Sequence, residues 1–294
     1  AFPGKYGNST IKLFLNYCDS EYPGNPHFPA CFEPLLLAFA DKSDQPELLL
    51  EAIHKSEVNL QSVARLILLL LKKSGNMEEW LKAAKLYYQE NIPVAKELLE
   101  YYFIKDKTSF LETSRELFPK NKPEWSEFLQ HYLTPESDSG LYVQVFRQLV
   151  IKHEKIEYYL KIRKLLTSSE YNQLLRDVAG NKPFQVRLLA EEKRYDEIKL
   201  LVEKYPSDWE YQAVIEPILT IFPQFCLENI RSRVSRTLIN ERGRHIYERI
   251  ASWLKSMKTI AGFETQTTNF ILQTYNHKPN LPALKDELRK AGLI

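Results

Sequence analysis

"NLQSVARLILLLLKKSGNMEEWLKAAKLYYQEN", residues 59–91, decides the fold, because its apolar positions follow helical spacing on both sides of one break. The break has the pattern of a helix end followed by a helix start. Lys72 and Lys73 place positive charge in a last turn, and Gly75 follows them as a typical C-terminal residue. Asn76 then stands as an N-cap, with Glu79 three positions later. Two helices joined by a short turn are predicted here.

The same signals recur along the chain beyond residue 32. Pro123 falls in the first turn of a predicted helix, where its missing N–H costs nothing, and Ser207 with Glu210 repeats the capping pattern. Pro217 interrupts a periodic run and predicts a kink or an earlier helix end. We predict an all-α protein of about twelve helices of roughly 10–18 residues, joined by short loops. Successive antiparallel hairpins then stack into an α-solenoid of degenerate TPR-like repeats. An irregular all-α globule is the alternative.

Two regions are predicted from the distribution of proline. Residues 1–35 form an irregular Pro-rich segment, since five of the chain's 16 prolines lie there. Residues 36–294 form the α-helical solenoid. Ala1 is interpreted as a truncated or processed end, because it lacks an initiator methionine and no apolar signal core follows it.

The composition excludes several classes of protein. With 44% apolar and 27% charged residues the chain is globular, and its nine glycines leave little room for phosphate-binding loops. A net charge of +2 gives no global attraction to nucleic acid or to an anionic membrane. The longest apolar run, residues 66–71, is far below the ~20 residues of a membrane span. Three widely spaced cysteines fit a reducing compartment, so a cytoplasmic location is expected.

No motif for catalysis or metal binding is found. The six histidines form no H-E-x-x-H pattern, and no C-x-x-C or G-x-S-x-G is present. Cys18, His27 and Cys31 lie on one loop, but a closed zinc site needs a fourth ligand, so core cysteines and a loop histidine are favoured. We therefore predict no catalytic residue, no metal site and no cofactor, and the chain is not predicted to be an enzyme.

Adjacent tyrosines recur on predicted helices. Neighbouring residues on a helix point about 100° apart, so each pair should direct one ring inward and the other toward a groove. Packing between repeats is one interpretation, and a tyrosine-lined surface for a peptide is the other. The pairs are Tyr87-Tyr88, Tyr101-Tyr102 and Tyr158-Tyr159.

The most basic stretch is "RSRVSRTLINERGRHIYER", residues 231–249, with six arginines. Residues 225–294 carry a net charge of +6, whereas the rest of the chain carries −4. On a helical wheel the stretch divides into two helices at residues 240–243, each with one apolar stripe. Arg233, Arg236 and Arg244 are expected to remain free on the exposed faces. The predicted partner-binding or nucleic-acid-binding residues are Arg231, Arg233, Arg236, Arg244, Lys255 and Lys258.

The C-terminal part resembles a known family. "RHIYERIASWLKSMKTIAG" followed by "TYNHKPNLPALKDELRKAGLI" is similar to the C-terminal helical region of bacterial SWIM zinc-finger proteins, and the resemblance covers residues 180–294. It implies an α-solenoid that serves as a binding appendage. The zinc finger itself is absent from this sequence and would then lie upstream of Ala1, so its DNA binding is not carried over. The matching positions are Tyr247, Ala251, Leu254, His277, Lys278, Leu281, Leu284, Leu288, Ala291, Gly292 and Leu293.

Three functions follow as hypotheses. The first is a non-catalytic helical scaffold that binds a protein partner, as part of a larger SWIM-type protein. The second is a nucleic-acid-binding module that uses the basic C-terminal helices. The third, an enzyme with a pocket inside the superhelix, would need a cluster of titratable groups with perturbed pKa. Neither membrane association nor a small-molecule substrate is predicted.

Overall fold

The computed structural model describes residues 9, 12–13, 33–55, 60–61, 63–204 and 209–294. Seventeen α-helices and two 3₁₀ turns account for the regular structure of these residues. In the first half of the chain the helices are Glu33–Asp41 (α1), Pro46–Lys55 (α2), Ala64–Lys73 (α3), Met77–Tyr87 (α4), Ile92–Lys105 (α5), Lys107–Leu117 (α6), Lys122–Leu129 (α7) and Ser139–His153 (α8). The second half holds Ile156–Ile162 (α9), Ser168–Asp177 (α10), Lys182–Glu191 (α11), Tyr195–Lys204 (α12), Tyr211–Ile215 (α13), Pro223–Asn240 (α14), Arg244–Lys258 (α15), Glu264–Tyr275 (α16) and Pro282–Lys290 (α17).

The predicted all-α class is confirmed, since no strand occurs in the part of the chain that the structure describes. The predicted count of about twelve helices is not confirmed. Several helices are shorter than the expected length; α9 has 7 residues and α13 has 5. Periodic stretches are therefore divided by more turns than the apolar spacing alone reveals.

The local helix signals act as their chemistry requires. Asn76 caps α4, with its side chain accepting a hydrogen bond from the backbone N–H of Glu79 at 3.2 Å. Gly75 adopts a φ of 74° directly after α3, which is the left-handed conformation that glycine tolerates best. Pro123 lies in the first turn of α7. Of the two outcomes expected at Pro217, the earlier helix end is observed: α13 stops at Ile215 and a 3₁₀ turn follows.

The chain forms two compact units, of which the first ends at Val145 and the second is Phe146–Ile294; the division falls within α8. In the first unit, alternate helices are neighbours: α1 packs on α3, and α3 on α5. Helix α3 lies at the centre of this row and is buried on most of its surface, including Leu66, Ile67, Leu68 and Leu70. The apolar run that was too short for a membrane span is thus core.

The second unit repeats this arrangement with a longer row. Helices α9, α11, α13, α15 and α17 pack successively on one another, while α12, α14 and α16 form hairpins with chain neighbours. Helix α15 packs against α13, α14, α16 and α17 and has eight of its 15 residues buried. One continuous apolar core extends from Val150 to Leu293.

Many of the polar contacts between helices join residues about one hairpin apart in the sequence. Several side-chain hydrogen bonds in both units link residues 27 to 33 positions apart, while others span 22 to 23 or 40 to 43 positions. In the first unit, for example, the ammonium of Lys96 lies 2.8 Å from the carboxylate of Glu124. A separation near 30 residues is about the length of one helical hairpin with its turns.

Some sequence predictions lie outside the described residues. These are the irregular segment 1–35 apart from residues 9, 12–13 and 33–35, the loop with Cys18, His27 and Cys31, and Ser207 as a helix cap. Nothing in the structure bears on them.

Candidate functional site

The basic stretch 231–249 forms a helical hairpin, as predicted. Helix α14 ends at Asn240, α15 begins at Arg244, and Gly243 between them has a φ of 127° that suits glycine. Both predicted apolar stripes are buried. They consist of Leu227, Ile230, Val234 and Leu238 in α14, and of Ile246, Ile250, Trp253, Met257 and Ile260 in and just after α15.

The prediction that Arg233 is free on an exposed face is wrong. Arg233 is only 6% exposed, and its guanidinium lies 3.9 Å from the ring centroid of Tyr211. The helical wheel assumed one narrow buried stripe, whereas the buried face of α14 also includes Cys226, Arg233 and Thr237, each one position before a residue of that stripe. Arg233 therefore lies in the core and is not exposed to a partner.

Two further residues of the predicted binding set form contacts within the protein. Arg231 places its guanidinium 5.2 Å from the ring centroid of Phe270 in α16. Arg244 binds two carboxylates of α17, at 3.0 Å to Asp286 and 2.7 Å to Glu287. The expectation that Arg244 remains free is therefore also wrong: it holds the start of α15 to α17.

The remaining three cations are exposed. Within the described residues, Arg236, Lys255 and Lys258 form no ion pair or side-chain hydrogen bond. Lys255 and Lys258 lie three positions apart on α15 and share a face, whereas Arg236 is on α14. The six predicted residues do not form one basic patch, because half of them are used in contacts within the protein.

The tyrosine pairs have the predicted geometry. In each pair one ring is buried and the other is only partly covered, as the 100° offset on a helix requires. The buried rings are Tyr87, Tyr102 and Tyr159, and their partly exposed neighbours are Tyr88, Tyr101 and Tyr158. The pair on α9 is distinctive, because each of its rings lines a different surface cavity.

The partly exposed ring of this pair lines an open cavity of about 450 Å³, which we call the Tyr158 groove. Tyr158 contacts Phe146 and His153 at centroid distances of 6.1 and 5.8 Å, so its position is supported on one side. Charged side chains of α9, α11 and the turn before α9 complete the lining. They are Glu154, Lys155, Glu157, Lys161 and Arg187.

The buried ring of the pair lines a second cavity of about 400 Å³, the Tyr159 cleft. Here the polar groups bind one another. Tyr159 donates its hydroxyl hydrogen to Glu192, whose carboxylate also receives Arg163 at 2.6 Å. Arg194 binds Glu197 and donates to Asn172 at 3.0 Å. The two guanidiniums are therefore neutralised by carboxylates of the same unit.

The phenols of the Tyr159 cleft are held in the neutral form. Burial raises the pKa of Tyr159 above its usual range, and the hydrogen bond to Glu192 acts in the same direction. Burial likewise raises the pKa of Tyr171, whose hydroxyl donates to the backbone carbonyl of Leu188 at 3.0 Å. Both shifts oppose ionisation, so neither phenol is activated as a base or a nucleophile.

The described residues contain no cluster of three or more His, Cys, Asp or Glu residues that could hold a metal ion. Cys226 is fully buried, donates to the carbonyl of Ile218 and has its pKa raised by burial to about 12. A thiol in that state is a core residue. No helix of the described chain is long and apolar enough to cross a membrane.

The sequence reasoning found the Tyr158-Tyr159 pair but missed the residues around it. Lys155 and Lys161 flank the pair in the sequence, and the KHEKIEYYLKIRK run, residues 152–164, carries five Lys or Arg against two Glu. That local charge was a usable signal. Arg187 lies on α11 and becomes a neighbour only through packing, so no local signal marks it.

Comparison of this chain with protein-family models, curated proteins and solved structures gives no match.

Proposed function

We propose that this chain is a non-catalytic helical-repeat scaffold that binds a protein partner. The Tyr158 groove carries the proposal, because it combines an open cavity of about 450 Å³ with a partly exposed tyrosine and uncommitted charged side chains. Tyrosine supplies a large contact area at low cost in conformational entropy, which suits a protein-binding surface. The groove lies in the second unit and is formed by α9 and α11.

The scaffold is an α-solenoid of degenerate TPR-like hairpins. Two observations support this arrangement: alternate helices form a row in each unit, and polar contacts recur at about one hairpin length. In such proteins each repeat contacts its neighbours and the stacked helices present an extended surface for partners. The cysteine usage supports a cytoplasmic location.

A binding role is favoured over catalysis by the state of the titratable groups. In the Tyr159 cleft both arginines are paired and both phenols are held neutral. An enzyme site in this unit would need a group that is poised to exchange protons near neutral pH. The relationship to SWIM-type proteins is a proposal as well, and the burial of Tyr247, Ala251 and Leu254 in α15 fits the helical hairpin that the resemblance implies.

Affinity capture tests the proposal. The full chain is immobilised and exposed to lysate of its own cells, beside a Tyr158→Ala variant. We expect one or more proteins to be retained by the unchanged chain and lost with Tyr158→Ala. Leu160→Ala is the matched control, since Leu160 is an exposed residue of α9 that does not line the groove. Equal retention by all three proteins would contradict the assignment of the groove.

Nucleic-acid binding by the basic C-terminal helices is the second candidate. It is favoured by Lys255 and Lys258, which share an exposed face of α15 and form no ion pair within the described residues. If they contact phosphates, Lys255→Glu with Lys258→Glu should reduce the slope of log K against log[salt] by about two. Fluorescence anisotropy with DNA and RNA oligonucleotides measures this, and absence of binding at low salt would exclude the function.

A further inference from the structure

We propose that the Tyr158 groove recognises an acidic peptide segment, that is, a run of Asp or Glu side chains in a protein partner. The inference rests on the proposed scaffold function and adds the chemistry of the partner.

Positively charged side chains in the groove are not paired with carboxylates of the described chain. Lys155 and Arg187 are exposed and, among the described residues, form no ion pair and no side-chain hydrogen bond. The ammonium of Lys161 lies 4.7 Å from the ring centroid of Phe146, a contact that leaves its hydrogen-bond donors available. Three cations therefore line one cavity without forming an ion pair, alongside the carboxylates of Glu154 and Glu157. The unpaired cations offer contacts to a partner that carries negative charges.

The contrast with other basic side chains of this unit strengthens the argument. Arg163 and Arg194, at the Tyr159 cleft on the other side of α9, bind Glu192 and Glu197. Arg147 likewise binds Asp177. Pairing within the protein is thus common for arginines near α9, whereas the cations of the Tyr158 groove form no ion pair among the described residues.

The tyrosine indicates contact with a peptide. Its ring is fixed by Phe146 and His153, and its hydroxyl has no hydrogen-bond partner within the described chain. The hydroxyl can donate to a carboxylate while the exposed part of the ring covers the stem of a neighbouring side chain. A volume of about 450 Å³ accommodates side chains of this kind.

The carboxylates in the lining favour a peptide over a nucleic acid. Glu154 is held by a hydrogen bond from the side-chain amide of Asn181, and Glu157 lies on the exposed side of α9. A phosphate backbone offers these two carboxylates no N–H donor that would offset their repulsion. A peptide carries backbone N–H groups that can donate hydrogen bonds to the same carboxylates. Its acidic side chains can then bind the cations of the groove while its main chain binds the carboxylates.

Fluorescence anisotropy with the full chain tests the inference. The probe is a fluorescein-labelled octapeptide of glutamates, compared with an octapeptide of lysines and with an oligothymidylate of ten nucleotides. We expect saturable binding of the glutamate peptide at low salt and none of the lysine peptide. Arg187→Glu should weaken binding about fivefold or more, because it removes one ion pair and introduces a repulsion. Circular dichroism and the thermal midpoint establish that each variant is folded.

The matched control is Lys164→Glu, which makes the same change of net charge a few residues after α9 but outside the lining. It should weaken binding less than about twofold, as a screened surface charge does. Equal effects of the two variants would overturn the inference in favour of a non-specific attraction. Tighter binding of the oligothymidylate than of the glutamate peptide, or no binding of the peptide, would overturn it as well. If the peptide fails while cellular capture still depends on Tyr158, the scaffold proposal stands and only the acidic chemistry is wrong.

Discussion

Arg233 should be a stabilising residue of the second unit, and Arg233→Ala tests this directly. The guanidinium lies 3.9 Å from the ring centroid of Tyr211, which is itself fully buried and contacts Trp253 edge to face at 5.4 Å. A desolvated cation–π contact contributes about 2 kcal/mol. The substitution also removes two buried methylene groups, at about 0.8 kcal/mol each. We therefore expect the free energy of unfolding to fall by about 2–4 kcal/mol, less whatever desolvation of the charge costs the native protein.

Urea unfolding followed by far-UV circular dichroism measures the loss, and hydrogen exchange of α13 to α15 localises it. Arg233→Met keeps the apolar stem and removes the charge, so it should lose about half as much. The control is Arg236→Ala, an exposed position three residues later, which should change stability by less than about 0.5 kcal/mol. If Arg233→Ala were as stable as Arg236→Ala, a stabilising role for Arg233 would be refuted. Arg233 would then again be a candidate for contact with a partner.

Three further predictions concern the same unit. The raised pKa of Tyr159 and Tyr171 keeps both phenols neutral in the folded protein. Their contribution to the free energy of unfolding is therefore complete below the unfolded pKa of about 10 and is lost as the pH rises above it. The thermal midpoint should fall between pH 9 and 11, and Tyr159→Phe should make that fall smaller. Cys226 should resist iodoacetamide at pH 8 in the native protein and react in urea, as followed by peptide mass spectrometry; rapid native labelling would contradict its burial. Thr167→Ala removes the capping box of α10 and should lower the free energy of unfolding in urea by about 1 kcal/mol. Ser169→Ala, two residues after the cap, should lower it little.

The helical class was predictable because its signals are local. Asn76, Gly75 and Pro123 act through hydrogen bonds and φ angles within a few residues, and each is found where the sequence places it. The apolar stripes of α14 and α15 are local in the same sense, since a 3.6-residue period is set by one helix alone.

The contacts of individual charged side chains were not predictable from local signals. Whether an arginine on a helix meets water, a carboxylate or an aromatic ring depends on elements distant in the sequence. Arg244 meets α17 more than 40 residues later, and Arg233 meets a tyrosine of α13. The Tyr158 groove is a mixed case: its tyrosine and lysines are local to α9, while Arg187 arrives with α11. The wheel therefore identified the hairpin and misjudged which of its cations are free.

The alternate-helix rows also have a consequence for how the chain folds. Most helices contact a chain neighbour or the helix after that neighbour. Such contacts close only short loops, so little conformational entropy is lost before the first stabilising contact forms. Such low contact order favours rapid folding that begins in a single hairpin and spreads to adjacent ones. In the second unit the most enclosed hairpin is α14–α15, and growth from it in both directions would leave α9 and its groove among the last parts to close and the first to open.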